Sequence, residues 1–268
     1  MAIEAVQHVK RMRGGAQSHL MRASDNHYYV VKFQNNPQHL RVLANELLAT
    51  KLGELLGLPV PQAEIVEVGP WLIEHTQELR IELVHGNIPC APGLQCGSRY
   101  VVPPAEGVVQ DFLPDYMLDR IRNLEAFAGA LVLDKWTCNA DGRQAAFWKK
   151  SRERKWTVSF IDQGYCFNAG EWTFPDSPLR GVYARNDVYR DVTGWNSFEP
   201  WLTRLQELDE QKAWHVAETV PPAWYGETGD MEKLIEQLIR RRTRVPELIV
   251  DFKNSSRQPF PNWMERVN

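Results

Sequence analysis

Residues 133–150 read LDKWTCNADGRQAAFWKK, and residues 155–164 continue KWTVSFIDQG. An apolar helical pattern runs as far as Trp136 and then breaks into the polar turn Asn139-Ala140-Asp141-Gly142-Arg143-Gln144. Two runs of strand-forming residues follow, AAFWKK and KWTVSFID, joined by the charged bend Ser151-Arg152-Glu153-Arg154. The order predicts a helix, a loop that carries Asp141, and a hairpin that delivers a second acid, Asp162, at its end. A loop acid and a strand-end acid separated by one hairpin can meet in a single cleft.

Upstream of this stretch, Leu118, Ile121, Leu124, Ala128, Leu131, Val132 and Trp136 recur at helical spacing, which places a helix over 115–137. Downstream, helices are expected at about 198–208 and 230–244. The second begins at Asp230, a good N-cap, and buries Met231, Leu234, Ile235, Leu238 and Ile239. GVVQDFLP, 107–114, reads as a short strand closed by Pro114, after which the chain becomes helical. A boundary between two lobes, 1–113 and 114–268, is therefore drawn there.

The first lobe reads as a small antiparallel sheet carrying one helix. A glycine turn, Gly14 to His19, opens a hairpin whose arms are LMRAS and HYYVVKF, with a turn at Asp25-Asn26. A helix is predicted over 38–56 from the repeat of Leu40, Leu43, Leu47, Leu48, Leu52, Leu55 and Leu56, with Gly57 as its C-cap. PVPQAEIVEV and WLIEHT read as strands, and 86–107, rich in proline and glycine, reads as a long aperiodic loop. The fold class expected is α+β, with two lobes sharing a cleft.

Composition removes several function classes. The 268 residues carry a net charge of −3, so no basic field points to nucleic acid or to an anionic membrane as a direct partner. Arg240 to Arg244, the one basic run, closes a predicted helix, where cations suit the negative end of its dipole. Cys90, Cys96, Cys138 and Cys166 lack the spacing of a zinc site and are expected to be reduced thiols. No run approaches the ~20 apolar residues of a membrane span, and MAIEAVQHVKRMRGG lacks the apolar centre of a leader, so a cytoplasmic location is expected. Neither a G-x-S-x-G elbow nor a G-x-x-x-x-G-K-[ST] loop is present.

Four features stand in the order that phosphoryl transfer needs. The turn Gly14-Gly15-Ala16-Gln17-Ser18 can offer backbone N–H groups to phosphate oxygens. Lys32, in an apolar strand, needs an anionic partner, which phosphates supply. Glu46, beside the apolar stripe of the following helix, can hold that ammonium in place. Asp141 can orient an acceptor hydroxyl, and Asp162 can bind a hard cation. Each feature has an ordinary alternative: a plain turn, a solvated lysine, a solvated helix glutamate, two loop acids. Their order is what joins them.

GGAQSHLMRA, and NADGRQ followed by FIDQG, resemble the phosphate loop, the catalytic loop and the metal-binding segment of the HipA-like kinases, members of the atypical protein-kinase-like and phosphatidylinositol-kinase-like group. The resemblance covers about 12–170. It implies a two-lobed protein-kinase-like fold, with an N-lobe of antiparallel sheet and one helix and a mainly helical C-lobe. It also implies ATP and Mg²⁺ as cofactors and transfer of a γ-phosphate to a hydroxyl, foremost Ser or Thr of a protein. Carried over by position, Gly14, Gly15, Ala16, Gln17 and Ser18 form the phosphate loop, Lys32 binds phosphates and Glu46 is its partner. Gln110, Asp111 and Phe112 become the adenine-binding hinge, Asp141 the catalytic acid and Asp162 the metal ligand.

Two positions depart from the family. Its histidine two residues after the catalytic aspartate is Arg143, and its metal-binding asparagine five residues after is Ala146, which has no oxygen to offer a cation. Gln144 and Asn139 carry the carbonyl oxygens nearest in sequence, and Gln144 is taken as catalytic and metal-binding. The departures open a second reading, a nucleotide-binding regulatory module with little turnover; a kinase of lipids or small molecules is a third. Family members pair with antitoxins, so a protein substrate and an antitoxin or regulatory partner are implied.

Overall fold

A closed five-stranded barrel forms the first lobe in the computed structural model, which describes residues 2–264. In chain order its first three strands are β1 (Ile3–Arg11), β2 (His19–Ala23) and β3 (Tyr28–Lys32), followed by helix α1 (Val42–Leu55) and strand β4 (Ala63–Val68). A short helix, α2 (Pro70–Glu74), and a hairpin of β5 (Arg80–Leu83) and β6 (Gly86–Pro89) precede β7 (Gly93–Arg99). The barrel order is β1-β2-β3-β7-β4, closed by a parallel pairing of β1 with β4. Met21, Tyr29, Val31, Phe33, Val66 and Val68 fill its interior, following the period-two alternation of β2, β3 and β4.

The second lobe opens with β8 (Gly107–Gln110), then α3 (Ala126–Thr137), β9 (Gln144–Lys150) and β10 (Thr157–Ile161). These three strands form a sheet in the order β10-β9-β8. Helices α4 (Trp201–Gln206), α5 (Glu210–Glu218), α6 (Thr228–Arg241) and α7 (Val245–Lys253) complete it. Its core joins Phe127, Leu131 and Trp136 of α3 to Leu234, Leu238, Ile249 and Phe252, and extends to Leu47 and Leu48 of α1. The α1 helix is therefore buried nearly all round, and this includes its polar residues Asn45 and Glu46.

The helix–loop–hairpin read from 133–164 is present as α3, β9 and β10, with Asp162 directly after β10, although the helix expected over 115–137 starts only at Ala126, after a separate 3-10 turn at Asp115–Arg120. Five other expectations are corrected. The chain begins with a strand, β1, ahead of the glycine turn. The helix expected over 38–56 starts at Val42, and Leu40, counted in its stripe, is 78% exposed. WLIEHT is the helix α2, because Pro70 fixes φ and lacks an N–H at a position where a helix has no use for one.

The fourth correction concerns 86–107, which holds β6 and β7, the latter at the centre of the barrel wall between β3 and β4. Gly97 serves packing: a Cβ there would lie 2.4 Å from Val66 Cγ2, so a glycine read as a breaker is what lets the strands approach. The fifth concerns the division at 113/114. The barrel ends at Arg99 and β8 pairs with β9, so the connection between the lobes runs through Tyr100–Glu106. The expected second lobe also included 265–268, which lie outside the described residues.

All four cysteines are free and buried. No helix among the described residues is long and apolar enough to cross a membrane.

Candidate active site

Lys32 is the last residue of β3, paired across the ladder with Cys96 of β7. Its Nζ donates to Glu46 Oε2 at 2.7 Å and to Asp162 Oδ1 at 2.7 Å. Three elements distant in sequence thus converge on one ammonium. Burial on its own would lower the pKa of Lys32, but attraction to Glu46 and Asp162 outweighs it and raises the pKa. Asp162 is subject to the opposite balance: burial acts to raise its pKa, and Lys32 brings the net shift below the usual carboxylate range.

Local backbone serves this convergence. Asp162 adopts φ +63°, a left-handed conformation that costs a non-glycine residue energy and turns its carboxylate off the strand toward Lys32. Gly164 allows α1 to come close, since a Cβ there would lie 2.8 Å from Val42 Cγ2 and 3.4 Å from Lys32 Nζ.

The glycine turn links β1 and β2. Gly14 takes φ +117° and Gln17 φ +46°. Asn36 Nδ2 donates to the Ala16 carbonyl at 2.7 Å, and Met12 N to the Ser18 carbonyl at 2.8 Å, so the turn is held from outside. Among the described residues the backbone N–H groups of Gly15 and Ala16 form no hydrogen bond. Gln17 departs from its expected place. Its Oε1 accepts from Glu82 N at 2.7 Å and its Nε2 donates to Glu82 O at 2.9 Å, which ties the side chain to the β5–β6 hairpin.

Asp141 is exposed on the loop after α3, and its Oδ1 accepts from Gly142 N at 2.8 Å. The loop stands on a buried ion pair. Arg143 Nε donates to Asp134 Oδ2 at 2.9 Å, its second nitrogen to Asp134 Oδ1, and its third to the Ile161 carbonyl at 2.9 Å. Asn139 bridges Asp134 to the Asp141 backbone, giving Nδ2 to Asp134 Oδ1 at 2.9 Å and accepting from Asp141 N at 3.1 Å. Ala140 N donates to the Tyr165 carbonyl at 2.9 Å, which joins the loop to the segment after Asp162. Arg143, counted as a departure, is thus a strut between α3 and β10. The sequence held a signal for it, since Asp134 is a lone acid in an apolar helix and needs a partner.

Gln144 begins β9 opposite Ile161, the residue before Asp162. Its Nε2 lies 3.5 Å from Asp141 Oδ2, leaving the carbonyl oxygen available. Ala146 lies opposite Ser159, deeper in the sheet and buried. Among the described residues no group of three or more His, Cys, Asp and Glu could hold a metal. A hard cation would take the Asp162 carboxylate, the Gln144 carbonyl and oxygens from outside the protein, a donor set that fits Mg²⁺ better than zinc.

Gln110, Asp111 and Phe112 are not brought to Lys32. Gln110 ends β8 in the second sheet and Asp111 and Phe112 follow it; Phe112 is 58% exposed, with the Arg185 guanidinium 4.4 Å from its ring centroid. A pocket of about 350 Å³ between the lobes is lined by residues that include Tyr28, Arg99, Tyr100, Val101, Trp148 and Ser159, and by none of Lys32, Glu46 and Asp162. Tyr100 and Val101 follow β7, the strand paired with Lys32, and carry no local signal in the sequence, where β7 reads as loop.

The family model described as HipA-like kinase matches residues 5–146, just over half of the chain. No curated protein matches by sequence. Among solved structures, the proinflammatory kinase CtkA of Helicobacter pylori is similar with a TM-score of 0.59 at 13% identity, covering 96% of this chain and 100% of that one. A Golgi casein kinase with Mn/ADP bound aligns with a TM-score of 0.54 at 11% identity, over 95% of this chain and 73% of that one. HipA of Shewanella oneidensis MR-1, in a complex with HipB and operator DNA, gives 0.50 at 14% identity, over 94% of this chain and 69% of that one. These likenesses show a two-lobed kinase-like fold.

Proposed function

Because this chain belongs to the HipA-like kinase family, we propose that it transfers the γ-phosphate of ATP to the hydroxyl of a serine or threonine on a protein. The observation that carries the reading is Lys32 Nζ at 2.7 Å from both Glu46 and Asp162. Glu46 fixes the ammonium where α- and β-phosphates would meet it, and the N–H groups of Gly15 and Ala16 face phosphate oxygens. Adenine is assigned to the cleft at Tyr100 and Val101, in place of Gln110 to Phe112. Mg²⁺, held by Asp162 and Gln144, would neutralise charge on the triphosphate.

Asp141 orients the acceptor hydroxyl and takes its proton. As the acceptor oxygen bonds to the γ-phosphorus, the bond from that phosphorus to the bridging oxygen breaks and ADP leaves with its electron pair. A protein antitoxin or regulatory partner, such as HipB in the Shewanella oneidensis complex, is part of the proposal. So is a cytoplasmic location.

The test is incubation with γ-labelled ATP and Mg²⁺, reading label in protein, in extracted lipid and in small molecules separately. Label in protein that disappears in Asp162→Ala and Asp141→Asn is the expected result; label that persists in both overturns it. One observation favours a second reading. Ala146, at the family's asparagine position, is buried in the sheet and has no ligand atom, so a nucleotide-binding module with little turnover remains the alternative, marked by thermal stabilisation with ATP and no ADP formed.

A further inference from the structure

Asn45 precedes Glu46 on α1 and is fully buried. Its Nδ2 donates to three carbonyls, those of Gly164 at 2.9 Å, Cys166 at 2.9 Å and Ala169 at 2.7 Å. Its Oδ1 accepts from Trp172 Nε1 at 2.7 Å. An amide has two hydrogens for these three acceptors, so at least one is shared. The indole can only donate, which fixes the end of the amide that is oxygen.

The carbonyls converge because the backbone that bears them is unusual. Phe167, Asn168 and Ala169 take φ +59°, +58° and +57°, three successive left-handed residues without a glycine among them. L-residues visit that region singly and at a cost, so a run of three must be held by its surroundings. His39 adds a second tie from the chain before α1, with Nε2 donating to the Gly164 carbonyl at 2.9 Å.

We propose that Asn45 is a positioning residue: with the left-handed turn at 167–169 it locks α1 to the segment after Asp162, and so keeps Glu46 and Asp162 gathered about Lys32. The inference deepens the kinase reading and rests on it. Asn45 is covalently next to Glu46, and Gly164 lies two residues after Asp162, so the clamp joins the backbone segments of the two acids independently of the bridge through Lys32. Loosening it frees Asp162 to leave the cation site while the phosphate turn and the adenine cleft stay intact.

The experiment compares Asn45→Ala and Trp172→Phe with the unaltered chain, reading the Mg²⁺ concentration for half-maximal ATP turnover and, by calorimetry, the gain in ADP affinity on adding Mg²⁺. Asn45→Ala is expected to raise the Mg²⁺ requirement about 10-fold or more and to lower kcat, with the ATP KM little changed. Trp172→Phe keeps the ring and removes one donor, for a shift of about threefold in the same direction. A folded Asn45→Ala whose Mg²⁺ dependence matches the unaltered chain overturns the inference. Should that variant fail to fold, Trp172→Phe with unchanged Mg²⁺ dependence does the same. An unaltered chain that binds Mg²⁺ and ADP without turnover refutes the kinase reading alone, since calorimetry still judges the clamp; one that binds no nucleotide refutes both.

Discussion

Replacing Lys32 with methionine tests whether the buried triad is an electrostatic unit. The side chains of Lys32 and Glu46 are 8% and 3% exposed, and that of Asp162 is 21% exposed. Lys32→Met keeps the apolar stem and removes the one charge between two carboxylates. Removing one partner of a buried ion pair costs about 3–5 kcal/mol, because the other charge is left uncompensated. For a chain of this size that corresponds to a fall in melting temperature of roughly 10 °C. Adding Glu46→Leu to Lys32→Met removes the more deeply buried of the two stranded charges, and about half of the loss should return, since apolar replacement of both members of a buried pair is nearly neutral.

The pH dependence gives this prediction its sign. In the unaltered chain the folded pKa of Asp162 is depressed, so its contribution is present above the unfolded value of about 4 and is lost as pH falls through the folded one. In Lys32→Met the Asp162 carboxyl loses the ammonium that holds its pKa down, and burial acts to raise it in the folded state. The variant then binds more protons folded than unfolded, and its stability declines as pH rises above about 4. Unfolding midpoints in urea at pH 4.5 and pH 7.5 read the difference. A deficit that is equal at both pH values, or a double variant no better than Lys32→Met, refutes the electrostatic account.

Asp141→Asn should lower kcat by about 10²- to 10⁴-fold while leaving thermal stabilisation by ATP in place, which a nucleotide-dependent melting assay beside a turnover assay will show. His19 is enclosed, and burial depresses its pKa to about 4. It therefore favours the fold fully above the unfolded value of about 6.5, and roughly 2–3 kcal/mol is lost as pH falls from there toward 4. His19→Gln should flatten that slope in equilibrium unfolding. Gly97→Ala puts a methyl 2.4 Å from Val66 Cγ2 and should cost about 1–3 kcal/mol by overpacking, measured as a lower unfolding midpoint.

The helix–loop–hairpin at 133–164 was legible because its parts announce themselves locally: a 3.6-residue stripe ending at Trp136, a polar turn, and two strand runs around a charged bend. The central barrel strand was not. β7, with the sequence GLQCGSR, has two glycines and only one large apolar side chain, Leu94. Its place between β3 and β4 is set by partners more than sixty residues upstream for β3, which no local window contains. The hinge proposed at Tyr100 and Val101 is hidden for the same reason, since the chain leaves the barrel where β7 ends. In the same way α2 was read as a strand because WLIEHT carries strand formers, and Pro70 at its N-terminus was the local signal that pointed the other way.

Residue counting and geometry also part company at the second metal-ligand position. Counting five from Asp141 reaches Ala146, and on that count the site has lost a ligand. Yet β9 starts only three residues after Asp141, and its ladder sets Gln144 opposite Ile161, adjacent to Asp162, with Ala146 two residues farther along, opposite Ser159. A cation is held by oxygens within reach of one another and takes no account of how many residues separate them. The proposal therefore gives the second protein oxygen to Gln144. The loop geometry this requires is supplied by Arg143, which spans from Asp134 on α3 to the Ile161 carbonyl on β10 and so fixes the distance between the helix before Asp141 and the strand before Asp162. On this account the two departures are linked: the buried arginine holds a short loop, and the short loop brings a glutamine to the position where counting finds alanine.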